Sequence, residues 1–137
     1  MRLLVLLLLL LLTLPLWAPD VDQAFIAEQE PIHYDPMLFA FMKVESNFRA
    51  DVVNNLGYTG ILQIGQEMID EANRILMLHG KIQSCTLTDA TDSTKSVRVW
   101  YIIQNHYNRS YTLENACRIW NPLGGELYYR RIKKAML

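Results

Sequence analysis

Glu45 is a carboxylate in an apolar row. Helical spacing between Asp35 and Phe48 gives it Leu38, Phe41, Met42 and Phe48 as neighbours at i−7, i−4, i−3 and i+3, while Lys43 and Asn47 fall on the opposite side. A solvated glutamate belongs with Lys43 and Asn47. Held against the apolar stripe, a carboxyl group is desolvated, its neutral form is favoured, and its pKa rises toward the range a general acid uses. A second polar group stands out in the same way: Gln63 lies inside Ile61-Leu62-Gln63-Ile64, directly after the turn-forming Gly57-Tyr58-Thr59-Gly60. Its amide needs both a donor and an acceptor as partners if buried. In a groove beside an acid it could hold a sugar, and periodicity alone is equally consistent with a satisfied core glutamine.

The rest of the chain supplies no obvious companion to Glu45. Asp51 falls in a loop, and Asp70 and Glu71 fall on the polar side of their helix, so all three are expected at solvated surface. Ordinary glycoside hydrolysis places two carboxyl groups about the scissile bond. Here only one is committed. His33, His79 and His106 have no spacing that suggests a metal site, and no cofactor is expected. Cys85 and Cys117 are the only cysteines; in an exported chain they could form a disulfide, whereas Cys117 shares a helical stripe with Leu113, Ala116 and Trp120 and would also serve as a buried core thiol. Trp100, Tyr101, Tyr107 and Tyr111 could stack on sugars, but their helical spacing suits core packing better.

The elements that must position these groups are helical. Asp35-Pro36 announces the first helix, an N-cap followed by proline at the first helical position, and it is expected to run to Phe48. A polar loop follows from Arg49 to Thr59. The second helix begins near Gln66, puts Met68, Ile69, Ala72, Ile75 and Leu76 on one side, and is closed by Gly80. Residues 81–92 read as a loop. Ser93 or Thr94 can cap a third helix with Val99, Ile102, Ile103 and His106 on its stripe, and Thr112 opens a fourth that ends near Trp120. Pro122 and Gly124-Gly125 break it, and a last helix starts near Glu126. Without any strong strand alternation, the expected fold class is all-α or nearly so.

Length and composition bound the function. Met1-Arg2 and the leucine-rich run from Leu3 to Leu16 describe a secretory signal peptide or a short N-terminal anchor over residues 1–19, leaving 20–137 as a single domain with a core of its own. An exported protein of the periplasm or cell envelope is expected, membrane-tethered if the leader is retained. With Arg2 set aside, 12 basic face 14 acidic side chains, a balance of −2. That balance argues against nucleic acid as the main partner.

Four motifs, in order, resemble one family. Glu45-Ser46, then Gly57-x-Thr59-Gly60-Ile61-Leu62-Gln63, are similar to the "E-S … G-x-S/A-G-L-M-Q" pair of the lytic transglycosylase (SLT-like) domain of the lysozyme superfamily, with the same separation between acid and glutamine. Ala116-Cys117-Arg118-Ile119-Trp120-Asn121 resembles its "A-x-x-A-Y-N", and Tyr128-Tyr129-Arg130-Arg131-Ile132 its closing "Y-V-x-R-V". The similarity spans roughly Asp35 to Ile132. It implies a compact lysozyme-like helical domain with a groove for the glycan strands of peptidoglycan, acting as a monomer. Glu45 would be the single catalytic acid. Ser46 would hold the substrate's N-acetylmuramyl group, and Gln63, Asn121 and Tyr128 would line the groove, with Tyr129 taking the place of Tyr128 if the last motif is shifted by one. The chain also departs from the pattern. Trp120 replaces a tyrosine, Pro122-Leu123-Gly124-Gly125 replaces a tighter turn, and Tyr58 stands where a small residue is usual and would narrow the cleft. The resemblance implies cleavage to a 1,6-anhydro product, with service to cell-wall turnover or to an envelope-spanning secretion or conjugation complex. The rivals are a lysozyme-type hydrolase, a non-catalytic glycan-binding or assembly scaffold, and a plain helical bundle in which Glu45 pairs with an arginine.

Overall fold

Asp35 caps the first helix of the computed structural model, which describes residues 34–137. Its Oδ1 accepts from the backbone N–H of Met37 at 3.0 Å and of Leu38 at 3.2 Å, and Pro36 opens helix α1, Pro36–Ser46. The leader at residues 1–19, and His33, lie outside the described residues. Among those described, no helix is long and apolar enough to cross a membrane.

α1 ends two residues earlier than periodicity suggests. Asn47 and Phe48 both adopt left-handed backbone, φ 55° and 64°, and their N–H groups return to Lys43 O and Met42 O. This reversal takes Phe48 off the core stripe and leaves it 45% exposed. Leu38, Phe41 and Met42 are buried as expected, so Glu45 is the last stripe position before the chain turns away.

The second helix, α2 (Gln66–Leu78), buries Ile69, Ala72, Ile75 and Leu76, with Met68 half-buried. Gly80, at φ 66°, follows it and permits Lys81 N–H to reach back to Leu76 O at 2.9 Å. Residues 81–92 are more ordered than the expected loop: Thr86 and Asp89 form a capping box at the head of a 3₁₀ turn, Leu87–Thr91. Helix α3 (Ser93–Tyr107) is capped by Asp92, whose Oδ1 accepts from Lys95 N–H at 3.0 Å, one residue ahead of the expected Ser93 or Thr94. Thr112 does cap α4 (Leu113–Trp120), and α5 (Gly125–Ala135) begins one residue before Glu126.

The described residues hold five α-helices and no strand, an all-α arrangement. α1 packs on α5, α2 on α3, and α4 on both α5 and α3. Trp100 on α3 is the hub. Its ring lies 4.5 Å from Phe41 of α1 and 4.8 Å from Trp120 of α4, so one column of aromatics joins three helices. Tyr101 and Tyr111 donate their hydroxyls to Asp35 Oδ2, so the residue that starts α1 also ties it to α3 and to the turn before α4. Burial beside that carboxylate pushes the Tyr101 phenol up to about 12.

Candidate functional site

Glu45 sits half-buried at the C-terminal end of α1, facing α5. Tyr128, 5% exposed on α5, donates its hydroxyl to Glu45 Oε1. Burial raises the Glu45 pKa above the usual carboxylate range; the Tyr128 hydrogen bond and the positive charge of Arg131 oppose that rise without cancelling it. Arg131 attracts the carboxylate but forms no ion pair with it among the described residues. Burial and the adjacent carboxyl group likewise push the Tyr128 phenol well above its ordinary value, so it remains a hydroxyl donor. Periodicity identified Glu45 and the motif resemblance identified Tyr128. Arg131, one helical turn beyond Tyr128 at i+3, carried a signal that sequence reasoning did not use.

The segment bearing Gln63 is pinned from both sides. Ser46 Oγ, adjacent to Glu45, donates to Ile61 O at 2.8 Å, and the indole N–H of Trp120 donates to Leu62 O at 3.2 Å. Gln63 itself is almost buried with φ 50°, a conformation that costs a non-glycine residue about 1–3 kcal/mol unless its surroundings hold it. Its amide nitrogen donates to Gly60 O at 2.9 Å and Val52 O at 3.2 Å, while Oε1 keeps its acceptor capacity. Behind it, Gly60 presses on the 3₁₀ turn: at φ 80°, a Cβ there would lie 1.7 Å from Ala90 O. Residues 81–92, expected as a loop, thus buttress through Ala90 the segment that presents Gln63.

The remaining predicted positions separate into distinct environments. Asn121 caps α4 and packs beside Gly124, where a Cβ would meet Tyr128 Cβ at 2.6 Å and Asn121 Cγ at 3.0 Å; Asn121 and Tyr128 therefore both adjoin Gly124. On its other side Asn121 joins Cys117, Arg118 and Tyr129 in lining a cleft of about 440 Å³ between α4 and α5. Glu45 and Tyr128 do not line that cleft. Trp120 is 3% exposed and belongs to the core, so it acts on the site only by holding Leu62. Tyr58 is half-buried and hydrogen-bonded to Glu67, which raises its phenol pKa; Glu67, in the first turn of α2, is a partner that sequence reasoning passed over.

Of the two possibilities left open for the cysteines, the structure has the unpaired one: Cys85 and Cys117 are both free and buried. Different elements hold them. Asn73 of α2 clamps the backbone of Cys85 through bonds of 2.9 and 3.0 Å, whereas Cys117 is fixed within α4 on the side of Tyr128. Burial raises the pKa of both thiols, that of Cys117 to about 11.

Every other described carboxylate is engaged elsewhere. Asp35 and Asp92 cap helices, and Asp70 accepts from Gln66 at 2.8 Å. Glu71 is held down to about 2 by Arg74 with help from the Tyr107 hydroxyl. Asp51, Asp89, Glu114 and Glu126 pair with Arg49, Lys95, Arg118 and Arg130. With Glu67 beside Tyr58, Glu45 is left among the described residues as a lone acid, and the charged group acting on it is the cation Arg131. The aromatic residues considered as sugar platforms are similarly committed, Trp100 to the core and Tyr101, Tyr107 and Tyr111 to Asp35 and Glu71. Among the described residues no group of histidine, cysteine and acidic side chains could hold a metal ion. Compared with known proteins, the chain matches no family model, no curated protein and no solved structure.

Proposed function

We propose that this chain is a peptidoglycan lytic transglycosylase in which Glu45 acts alone, first as acid and then as base. The observation that carries this is the pairing of a desolvated, tyrosine-bound carboxyl group with the commitment of all other described carboxylates to other partners. A neutral Glu45 can give its proton to the glycosidic oxygen between N-acetylmuramic acid and N-acetylglucosamine as the bond breaks. The substrate's own acetamido oxygen stabilises the cationic sugar centre. Glu45, now a carboxylate beside Arg131 and the Tyr128 hydroxyl, takes the proton of the muramyl 6-hydroxyl as that oxygen closes on C1. The proton count balances, no water is consumed, and the product is a 1,6-anhydro sugar. Gln63 Oε1, Asn121 and Tyr128 supply polar walls, and Ser46 sets the loop that carries Gln63 relative to Glu45. Such an enzyme works on glycan strands in the cell envelope, for wall turnover or to open the wall for a secretion or conjugation complex.

Digestion of purified peptidoglycan followed by mass analysis of the muropeptides tests the proposal. Anhydro ends, lighter by one water than hydrolysis products, are expected. Products carrying the water would assign the chain to a lysozyme-type hydrolase, and absence of any cleavage, with binding intact, would assign it to a glycan-binding scaffold. Glu45→Gln keeps the shape and the acceptor for Tyr128 but removes the proton, and should lower cleavage by about 10²–10⁴-fold.

A further inference from the structure

α5 buries Tyr128 and Ile132, so the residues on its far side face solvent. Leu127, Arg130, Arg131 and Lys134 follow one another at i, i+3, i+4 and i+7 and form a single exposed stripe. Leu123, in the turn just ahead of the helix, is 96% exposed, and Leu127 is 72% exposed. Isolated exposed leucines are ordinary on a protein surface. One leucine leading three cations along a stripe, with a second exposed leucine in the turn ahead of it, supplies the leucine and the basic residues used by helices that lie in a membrane interface. The only acid on α5, Glu126, is bound to Arg130 at 2.9 Å, and Lys133 lies beside the stripe over the Tyr129 ring. The exposed face of α5 therefore keeps a net positive charge while offering apolar side chains at one end.

We infer that this stripe docks the domain on an anionic lipid surface, with Leu123 and Leu127 entering the interface and Arg130, Arg131 and Lys134 among the headgroups. The charge is complementary to phosphate diesters. A glycan or another polyanion would engage the cations but has no use for the leucines. The run from Leu3 to Leu16 gives the chain an independent reason to meet a bilayer. Arg131 is exposed at the edge of the stripe nearest Glu45, and the inference does not depend on the proposed enzymatic activity.

Binding of the full chain to phosphatidylcholine vesicles and to vesicles that also contain phosphatidylglycerol tests the inference, because any contribution of the leucine-rich run is common to both. Near a surface each cation contributes about fivefold, so three should give a preference of about 10²-fold for the anionic vesicles that declines with salt. The triple variant R130Q/R131Q/K134Q should lose most of that preference, whereas a charge-matched R49Q/K95Q/R109Q should retain it within about threefold. L123S/L127S should weaken binding to the anionic vesicles by about tenfold or more. Equal losses in the two triple variants, or full preference in R130Q/R131Q/K134Q, would overturn the inference. Undiminished binding of L123S/L127S would also overturn it, since the stripe would then be a charged surface without lipid insertion.

Discussion

Replacing Tyr128 with phenylalanine isolates the one hydrogen bond that opposes the effect of burial on Glu45. The hydroxyl stabilises the carboxylate, so its removal must raise the Glu45 pKa further above the usual range. A hydrogen bond to a charged group contributes about 1.5–3 kcal/mol, and one pKa unit corresponds to about 1.36 kcal/mol. Those figures favour the neutral form of Glu45 by a further factor of about ten to a hundred, and the partial exposure of Glu45 places the expectation near tenfold. Titration of carboxyl-labelled glutamate by NMR, with the Glu45 signal assigned by its loss in Glu45→Gln, reads the shift without relying on activity. If the proposed glycan cleavage holds, the alkaline limb of kcat/KM should move upward correspondingly, because the proposed first step needs the protonated acid. Arg131→Gln should shift the pKa in the same direction but by less. Its contribution should fade in about 1 M salt, where the screening length is about 3 Å, while the Tyr128 contribution should persist. A downward or absent shift in Tyr128→Phe, or one abolished by salt, would refute the view that a short-range hydrogen bond holds Glu45 below the value that burial alone would set.

Other perturbations read the same structure. Because burial raises the folded pKa of Glu45, the folded chain binds that proton more tightly; stability is complete below the unfolded pKa and declines as pH rises through the folded one. Glu45→Gln should therefore melt above the wild type at about pH 8 and lose that advantage near pH 4. Gly60→Ala places a Cβ on Ala90 O at a positive φ, and should cost at least about 2 kcal/mol, a fall in melting temperature of roughly 8 °C or more in a calorimetric scan. Trp120→Phe removes the donor to Leu62 O and part of the Trp100 contact, and a loss of about 2–3 kcal/mol in urea unfolding is expected. Thiol titration should find two free thiols per chain after unfolding and slow reaction before it; no reactive thiol after non-reducing unfolding would indicate a disulfide.

Features governed by local chemistry were legible in the sequence. Asp35-Pro36 and Thr112 start helices because capping needs only the residues beside them, and the stripe through Leu38, Phe41 and Met42 shows in periodicity because one helix face must be buried. The same periodicity marked Glu45 as desolvated. It erred at Phe48, because consecutive left-handed residues end α1 without the glycine that usually advertises such an end. Cysteine count could not decide pairing, since pairing depends on which elements carry the two residues. Residues 81–92 read as a loop because a 3₁₀ turn is too short to impose a hydrophobic period.

The order of that turn bears directly on the acid. Gln63 is held in an unfavourable backbone conformation by bonds to Gly60 and Val52, and Gly60 is pressed against Ala90, whose carbonyl also accepts from Ser96 Oγ at 2.9 Å. Ser46 and Trp120 then fasten Ile61 and Leu62 to the ends of α1 and α4. The contacts through Ser46, Trp120 and Ala90 join segments distant in sequence, which is why Gln63 could be read either as groove-lining or as core. Its nitrogen is consumed in holding the loop, and its oxygen keeps its acceptor capacity for the role proposed above. For the proposed mechanism a rigid loop is an advantage, because polar groups fixed in place cannot turn to solvate Glu45.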